Sequence, residues 1–383
     1  MKDKKSALII SFSDLSRDPR VFRQIFFLKE NYQIAAAGYA EPLSRNIDFY
    51  PVQPPLRSFA WKFLAACQLK IKAFDQHYWS SRAVKSAFKQ LAQQRYDIII
   101  ANDLNTLPLA LKLSDIYQCK VLLDAHEYTP RDFDDRWSFR VFFQDYWEYI
   151  CRKYLPQVNE MTTVCKGIAE EYQKNYAVSC QVITNAPFYE SLEPSEVDQS
   201  CIRLIHHGGL NRSRKIENMI FLMDLLDDRF RLDFMLLSKN QSSLQQLKDL
   251  ARNRKRIQFR DPVPMPDISR TINEYDIGLF LLWPAAFSYR LALPNKLFEF
   301  IQGRLSVAIW PSPEMARIVN QYNCGVVAED FTVEAMAERL NGLSVEDIKK
   351  FKQSSHQAAN TLCAETNHQI FLGAVEKSLR VTT

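Results

Sequence analysis

Short apolar runs alternate along most of the chain with longer stretches in which apolar residues recur with helical spacing. The short runs are typical of buried strands, and the periodic stretches are typical of helices. Their alternation predicts parallel sheets wrapped by helices, which is the α/β fold class. In the first half of the chain, six runs predict strands, at 7–12, 33–38, 97–101, 120–124, 160–164 and 181–183.

A second series of apolar runs follows, at 203–207, 231–237, 256–259, 276–282, 306–309 and 325–328. Residues 191–200 between the two series are polar, contain a proline and several acids, and are typical of a linker. We therefore expect two doubly wound, Rossmann-like domains, at residues 1–190 and 201–364. They should face each other across a cleft, with ligands at the carboxyl ends of the strands.

The composition is that of an ordinary globular protein, with 383 residues, 47% hydrophobic and 24% charged. Eight scattered cysteines form no CxxC pair, which favours reduced thiols in a cytosolic protein. The first apolar run is short and ends in Ser-Asp, so it predicts a buried strand and not a signal peptide. No apolar stretch is long enough to span a bilayer. A cytoplasmic location is expected.

Positive charge is concentrated in residues 51–96, where eight Lys and Arg residues stand against one Asp, and aromatic residues are interleaved with them. This pattern predicts a peripheral contact with an anionic membrane surface. The alternative is a solvated helical face whose aromatic side chains belong to the core. Nucleic acid is not an expected partner, because no known binding module is present and the rest of the chain is nearly neutral.

A predicted helix from Asn295 to Gly303 begins after Pro294, a residue that suits the first helical turn. Helix N-termini bind phosphate, and Lys296 adds a cation at that end. Glu299 lies one turn further on the same face, where a carboxylate could bind sugar hydroxyls. This spacing suits a nucleotide-sugar, although an ordinary surface pair of Lys and Glu has the same spacing.

A second phosphate-binding candidate is the loop after the first strand of the second domain. Gly208 and Gly209 would let backbone amides approach a phosphate, and Arg214 could grip its oxygens. A basic surface loop is the alternative interpretation. The adjacent His206 and His207 would point to opposite faces of a strand, so they are poor joint metal ligands.

In the first domain, polar residues follow two predicted strands. His126 lies at the end of one strand and could bind a sugar hydroxyl, and Asp103 follows the preceding strand. The pair Asp132 and Asp134 matches a short DxD metal motif, which we interpret as a chance match. The G-x-G-x-x-G turn of a dinucleotide site is absent after the first strand, which argues against an NAD dehydrogenase.

The segment PNKLFEF, preceded by RLAL and followed by GRLSVAIW, resembles the donor-binding segment of retaining glycosyltransferases of the GT-B fold, family 4 type. Other segments resemble this family in the same order, at 18–23, 102–108, 124–127, 163–169, 185–187 and 207–210. Each motif is weak alone, and the ordered set, from about residue 7 to residue 340, is fairly specific. The resemblance also implies that residues 365–383 form a helix that packs on the first domain.

The resemblance implies a hexosyltransferase-type enzyme that needs no metal and no cofactor, with a nucleotide-diphosphate-sugar as donor. The acceptor would be a glycan or a lipid-linked saccharide in surface polysaccharide synthesis. The implied catalytic residues are His126, Arg214 and Lys296. The implied donor-binding residues are Gly208, Gly209, Arg214, Asn295, Lys296, Leu297 and Glu299. The implied acceptor-binding residues are Asp103, Asn105 and Glu127.

One departure from the family leaves alternatives open. Many members carry a second glutamate eight positions before Glu299, and this chain has Leu291 there. Ser288, Tyr289 or nearby backbone groups could replace that carboxylate. A non-hydrolysing nucleotide-sugar epimerase and a catalytically inactive partner subunit therefore remain as alternatives.

Overall fold

The structure is a computed structural model that describes residues 4–44, 47–55, 58–238 and 240–380. Arg57, which belongs to the predicted basic segment, lies outside the described residues. The chain divides into two compact units. The first comprises Met1–Thr184, Ala286–Ser288 and Asn367–Thr383, and the second comprises Asn185–Ala285 and Tyr289–Thr366.

The first unit is built on a parallel sheet with the strand order β3-β2-β1-β4-β5-β6-β7. Its strands are β1 (Lys5–Ile10), β2 (Tyr32–Gly38), β3 (Asp48–Pro51), β4 (Ile98–Asn102), β5 (Lys120–Ala125), β6 (Glu160–Thr163) and β7 (Gln181–Val182). Every residue of β4 is buried, as is expected for a central strand with both faces covered. This is why the central strands appear in the sequence as uninterrupted apolar runs.

The helices before the second unit are α1 (Pro19–Leu28), α2 (Phe59–Lys70), α3 (Phe74–Ser80), α4 (Arg82–Leu91), α5 (Leu107–Tyr117), α6 (Gln144–Tyr154) and α7 (Lys166–Tyr176). The start of α1 is fixed by its sequence: Pro19 occupies the first turn, and the Asp18 carboxylate accepts from the backbone N–H groups of Arg20 and Val21. Between β5 and α6, the chain forms short 3₁₀ and π-helical turns at Thr129–Arg131 and Phe139–Phe143.

The second unit is built on a parallel sheet with the order β10-β9-β8-β11-β12-β13. Its strands are β8 (Ile202–Gly209), β9 (Phe230–Leu237), β10 (Ile257–Arg260), β11 (Ile277–Phe280), β12 (Ser306–Ile309) and β13 (Gly325–Val327). The remaining helices are α8 (Glu217–Leu225), α9 (Gln241–Ala251), α10 (Ile268–Ile272), α11 (Phe287–Arg290), α12 (Asn295–Gln302), α13 (Pro313–Tyr322), α14 (Val333–Asn341), α15 (Val345–Ala359) and α16 (Ala364–Arg380).

The direction of winding reverses once in each sheet, between β1 and β4 in the first and between β8 and β11 in the second. In open α/β sheets, ligands bind beside the carboxyl ends of the strands at such a reversal. The residues that follow β1 and β4 in the first unit, and β8 and β11 in the second, are therefore the expected places for a site, and the end of β5 lies next to that of β4.

The predicted fold class, two parallel-sheet α/β domains, is confirmed. The observed strands overlap all of the predicted ones, and α12 begins at Asn295 as expected. The structure adds β3, an edge strand that pairs only with β2 among the described strands. Among the described residues, no helix is both long enough and apolar enough to cross a membrane.

Candidate functional site

In the second unit, the last two residues of β8 lie beside the first turn of α12. Gly208 has a φ of +109°, and a Cβ atom at this position would lie 3.4 Å from the Nζ atom of Lys296. Glycine therefore serves this position because it adopts a backbone conformation that other residues rarely adopt, and the distance shows that Lys296 packs directly against it. A Cβ atom on Gly209 would meet no atom within 4 Å, so this glycine borders open space.

The ammonium group of Lys296 is buried, and the side chain is only 6% exposed. Within the described residues, its closest partners are the ring of Phe280, 4.2 Å from Nζ, and the Nε2 atom of His206, at 3.4 Å. The Nδ1 atom of His206 lies 2.9 Å from the carbonyl oxygen of Leu279. Because a carbonyl can only accept, Nδ1 carries the proton and Nε2 offers a lone pair to Lys296. None of these partners is an anion.

The pKa values of Lys296, His206 and His207 are all lowered, mainly because these groups are buried. Burial lowers the pKa of Lys296 well below its usual range, and the Arg214 charge lowers it further, while Glu299 opposes the shift. Burial and then the Lys296 charge lower the pKa of His207 to about 3, and the same two causes lower that of His206 well below its usual value. Both imidazoles are therefore neutral, and burial also disfavours the charged form of Lys296 until an anion compensates it.

Arg214 ends a short 3₁₀ turn, Arg212–Arg214, that follows β8. Its Nε atom is buried and makes no hydrogen bond to the described residues. The turn is held in place by Tyr289, whose hydroxyl lies 2.8 Å from Ser213 Oγ and accepts a 3.3 Å hydrogen bond from Asn211 Nδ2. The next residue, Lys215, points elsewhere, with its Nζ atom 4.1 Å above the ring of Trp283.

Glu299 lies one turn after Lys296 and is 8% exposed. Its Oε2 atom is 3.6 Å from Nε2 of His207, so this pair is close but not at hydrogen-bonding distance. The buried setting of Lys296 and Glu299 differs from the solvated surface pair that was the alternative interpretation. Asn295 is the first residue of α12. The side chain of Leu297 is buried, and the backbone N–H of Leu297 donates to the carbonyl oxygen of Pro294.

In the first unit, the corresponding cluster lies after β5. The Asp124 carboxylate accepts hydrogen bonds from Thr162 Oγ1 at 2.6 Å and from Gln24 Nε2 at 2.7 Å, and His126 Nε2 lies 2.9 Å from it. Burial would raise the pKa of Asp124, but His126 and Thr162 outweigh it and hold that pKa at about 2. Since an ionised carboxylate only accepts, the proton of the His126 ring lies on Nε2.

The predicted acceptor-binding residues lie near this cluster, but in different settings. Asp103 has a φ of +63°, and its carboxylate accepts from the backbone N–H of His126 at 3.2 Å and from Arg20 Nη1 at 3.2 Å. The Oδ1 atom of Asn105 is buried without a hydrogen-bond partner in the described part of the chain. Glu127 is exposed, and its carbonyl accepts from the Tyr172 hydroxyl.

The two acids of the DxD sequence have different environments. Asp134 accepts from Arg131 Nη2 at 2.9 Å and from the backbone N–H of Phe287 at 2.9 Å. Burial raises the pKa of Asp132 to about 6, the neighbouring hydroxyl of Ser288 lowers it in part, and the charge of Asp103 adds to the rise. Over residues 4–44, 47–55, 58–238 and 240–380, no group of three or more His, Cys, Asp or Glu side chains could hold a metal ion.

Sequence reasoning missed the contacts of Arg20 and Gln24, and it named Tyr289 only as a possible replacement for the missing glutamate. Arg20 and Gln24 reach their partners from α1, and Tyr289 reaches the Arg214 turn from α11. The Asp-Pro-Arg motif before α1 pointed to the first helix, but nothing local placed its arginine beside Asp103. These contacts join residues that are far apart in the sequence, so only the fold shows them.

No protein-family model matches the sequence, and no curated protein matches it. Solved structures do match over nearly the whole chain. Anabaena HepE in complex with UDP-glucose superposes with a TM-score of 0.71 at 12% identity, covering 97% of this chain and 99% of that one. An α,α-trehalose-phosphate synthase (UDP-forming) from Burkholderia vietnamiensis has a TM-score of 0.71 at 10% identity, with coverages of 99% and 100%.

A mutant of TarM from S. aureus, in complex with fondaparinux, α-GlcNAc-glycerol and UDP, has a TM-score of 0.62 at 10% identity, over 79% of this chain and 59% of that one. Likeness at such identities establishes the fold. The chain has the GT-B fold, with its two parallel-sheet α/β domains.

Proposed function

We propose that this protein is a glycosyltransferase that binds a nucleotide-diphosphate-sugar on its second unit, at the carboxyl end of β8. The observation that carries the proposal is the buried Lys296 side chain, which lies under Gly208 at the N-terminus of α12, beside the neutral His206 and Phe280 rings and near the Arg214 cation. Two basic groups, Lys296 and Arg214, stand here against the single carboxylate of Glu299, and a bound diphosphate would supply the missing negative charge. HepE crystallised with UDP-glucose and TarM with UDP support this choice of ligand.

The chemistry of the step follows from these groups. As the bond from the sugar to the diphosphate breaks, negative charge grows on the leaving oxygen. Lys296, Arg214 and the free amides of the first turn of α12 would stabilise that charge in place of a metal ion. Gly208 and Gly209 would let the backbone approach the phosphates, and the Glu299 carboxylate would accept hydrogen bonds from ribose hydroxyls.

The remaining roles belong to the first unit. Asp124 fixes the orientation and the tautomer of His126, which would then hydrogen-bond a hydroxyl of the transferred sugar. Asp103, Asn105 and Glu127 would bind a glycan or lipid-linked acceptor in polysaccharide synthesis. If the departing diphosphate guides attack on the same face of the sugar, the transferred hexose keeps its anomeric configuration.

One observation favours a second candidate, a GT-B subunit that binds a nucleotide-sugar without turning it over. Leu291 stands where many members of the resembled family carry a glutamate that contacts the donor hexose. Ser288 does not replace that group directly, because its hydroxyl donates to the carbonyl oxygen of Asp132 at 2.8 Å. Such a subunit would still bind the diphosphate but would not catalyse sugar transfer.

The test is a screen of nucleotide-diphosphate-sugars with and without glycan acceptors, combined with calorimetry of the free nucleoside diphosphates. A glycan product together with released nucleoside diphosphate supports the transferase. Binding without any product supports the inactive subunit, and an epimerised donor would identify an epimerase. If no nucleoside diphosphate binds, the proposed site on the second unit is wrong.

A further inference from the structure

The helix α2 has an unusual surface for a helix of a globular protein. Nine of the twelve residues in Phe59–Lys70 are apolar, and they lie on all sides of the helix, yet only Ala65 and Leu69 are buried. A helix that is apolar all round is normally buried in a core or a membrane. Here Phe59 is 84% exposed and Phe63 is 65% exposed.

A second exposed apolar element lies next to α2. The π-helical turn Phe139–Phe143 contacts α2, and Trp137, just before it, is 65% exposed. The apolar surface is defined here by the exposed side chains of these two elements, which are Phe59, Phe63, Leu64, Ile71, Trp137, Val141 and Phe143. Exposed apolar groups on this scale mark an interaction site.

The charged residues within the two segments that form the apolar surface are all basic, and carboxylates occur only at or beyond their borders, as at Asp134, Asp135 and Asp145. Residues 58–73 and 136–143 contain no carboxylate, and they contain five cations, namely Lys62, Lys70, Lys72, Arg136 and Arg140. Lys72 forms an exposed ion pair with Asp145 at 2.9 Å, and Arg140 donates to the carbonyl oxygen of Asp134. Lys62 and Lys70 are exposed on the same helix as the most exposed aromatic residues.

The rest of the basic segment 51–96 is different. In α3, Phe74 and Tyr78 are buried, and α4 places Ala83, Val84, Ala87 and Leu91 in the core. The aromatic residues of α3 therefore belong to the interior, as the alternative interpretation of the sequence held. Among the described residues of 51–96, the large apolar side chains that are exposed belong to α2 and its C-cap Ile71, and the π-helical turn that contacts α2 adds further exposed apolar groups.

We propose that the apolar surface docks on an anionic lipid membrane. Aromatic and aliphatic side chains would insert at the level of the headgroups, while the surrounding Lys and Arg residues bind anionic lipids. The charge pattern favours a bilayer over a second copy of the chain. A symmetric dimer through this surface would bring two sets of like charges together, which costs free energy.

This proposal does not depend on the proposed transferase activity, because membrane binding requires no donor. If both proposals hold, the acceptor is presented at the membrane, which favours the lipid-linked saccharide over a free glycan. Vesicle binding and sugar transfer are measured separately, so the failure of one proposal is distinguishable from the failure of the other.

The experiment is co-sedimentation of the full chain with vesicles of phosphatidylcholine alone or mixed with phosphatidylglycerol, at low and high salt. We expect binding to the anionic vesicles that weakens as salt rises. The double variant Lys62→Glu/Lys70→Glu should lose roughly 30-fold or more in affinity at low salt, since each cation contributes about 1 kcal/mol. Its control is Lys255→Glu/Lys350→Glu, an equal charge change at exposed lysines of the second unit.

A second pair of variants tests the apolar contribution. Phe63→Ser/Trp137→Ser should remove the binding that persists at high salt, whereas Leu237→Ser/Met265→Ser, at exposed apolar positions of the second unit, should leave it unchanged. Circular dichroism and thermal midpoints verify that all four variants fold.

Three outcomes would overturn the proposal: no binding at low salt, equal affinity for neutral and anionic vesicles, or unchanged binding by both surface variants. A dimer detected by light scattering that Phe63→Ser converts to a monomer would assign the apolar surface to a second copy instead.

Discussion

At the end of β8, the buried amine of Lys296 contacts only neutral rings among its described close partners, whereas at the end of β5 the buried carboxylate of Asp124 receives hydrogen bonds from Thr162, Gln24 and His126. β8 borders the reversal of its sheet, and β5 lies next to β4, which borders the reversal of the other sheet. The Asp124 cluster is complete without a ligand. The Lys296 cluster has one carboxylate, Glu299, for the two cations Lys296 and Arg214, and a ligand that supplies more negative charge would gain affinity from groups that are already in place.

This difference has opposite consequences for stability. Breaking a compensated buried charge leaves its partners unsatisfied, and removing an uncompensated one relieves a cost. The Asp124 cluster should therefore stabilise the folded chain and affect ligands only by orienting His126. The Lys296 cluster should contribute to ligand binding and contribute little to stability. Each of the following predictions tests one side of this contrast.

The largest expected effect is on the stability of the first unit. Asp124→Ala removes the acceptor of three buried donors and should lower the free energy of unfolding by about 3–5 kcal/mol. Chemical denaturation followed by circular dichroism measures the loss. The exposed Asp115 provides the control, and Asp115→Ala should change stability by less than about 0.5 kcal/mol. Equal effects of the two substitutions would contradict the role of Asp124.

The second prediction concerns the uncompensated cation. Lys296→Met keeps an unbranched side chain in a similar space but removes the charge. We expect UDP affinity to fall by roughly 10- to 100-fold, since a charge-assisted hydrogen bond contributes about 1.5–3 kcal/mol. The unfolding free energy without ligand should stay equal or rise. Calorimetry and denaturation measure the two quantities.

Lys215→Met is the matched control for this substitution, because Lys215 follows the same loop but stacks on Trp283. It should leave UDP affinity within about twofold of wild type, well below the roughly 10- to 100-fold loss expected at Lys296. If Lys296→Met unfolds the protein more easily and binds UDP normally, the lysine is a structural residue and the contrast between the two clusters is wrong.

The third prediction separates the clusters by pH. The pKa of Asp124 is depressed to about 2 in the folded chain, from an ordinary value of 3.8. The stability from its ionised form is therefore present above pH 4 and is lost as pH falls toward 2, by roughly 2 kcal/mol. In Asp124→Asn this titration is absent, so the difference in unfolding free energy between wild type and variant should shrink over that interval. A constant difference would contradict the depressed pKa.

Much of the fold could be predicted because buried parallel strands are uninterrupted apolar runs, as in Ile98–Asn102. The edge strand Asp48–Pro51 could not, because its residues are half-buried or exposed and it ends in proline. The end of β11 was also misplaced: residues after Phe280 stay apolar and buried although the strand has ended. An apolar run indicates buried residues, and residues can stay buried after the backbone hydrogen bonds of the strand have ended.

Part of the candidate site could also be predicted from the sequence. Local motifs indicated Lys296, Gly208 and His126 as candidates, because helix starts and strand ends have local signals. The proton on Nδ1 of His206, the Arg20 contact with Asp103 and the Tyr289 support of the Arg214 turn depend on long-range packing. The exposure of α2 could not be predicted from the sequence, because an apolar helix has the same sequence pattern whether it packs in a protein core or against a membrane.

The smallest expected effect is that of a chelator on turnover. If Lys296, Arg214 and the amides of α12 neutralise the diphosphate, sugar transfer in the presence of EDTA should stay within about twofold of the untreated rate. Metal binding at the DxD sequence would have to displace Asp134 from Arg131 and from the N–H of Phe287. The opposite outcome is that EDTA abolishes turnover, that magnesium or manganese restores it in wild type, and that neither restores it in Asp132→Asn. A metal ion at the first unit, and not the basic cluster, would then stabilise the leaving diphosphate. The contrast between the two clusters would then no longer explain the reaction, because the cation that matters would be a metal ion held by the first unit.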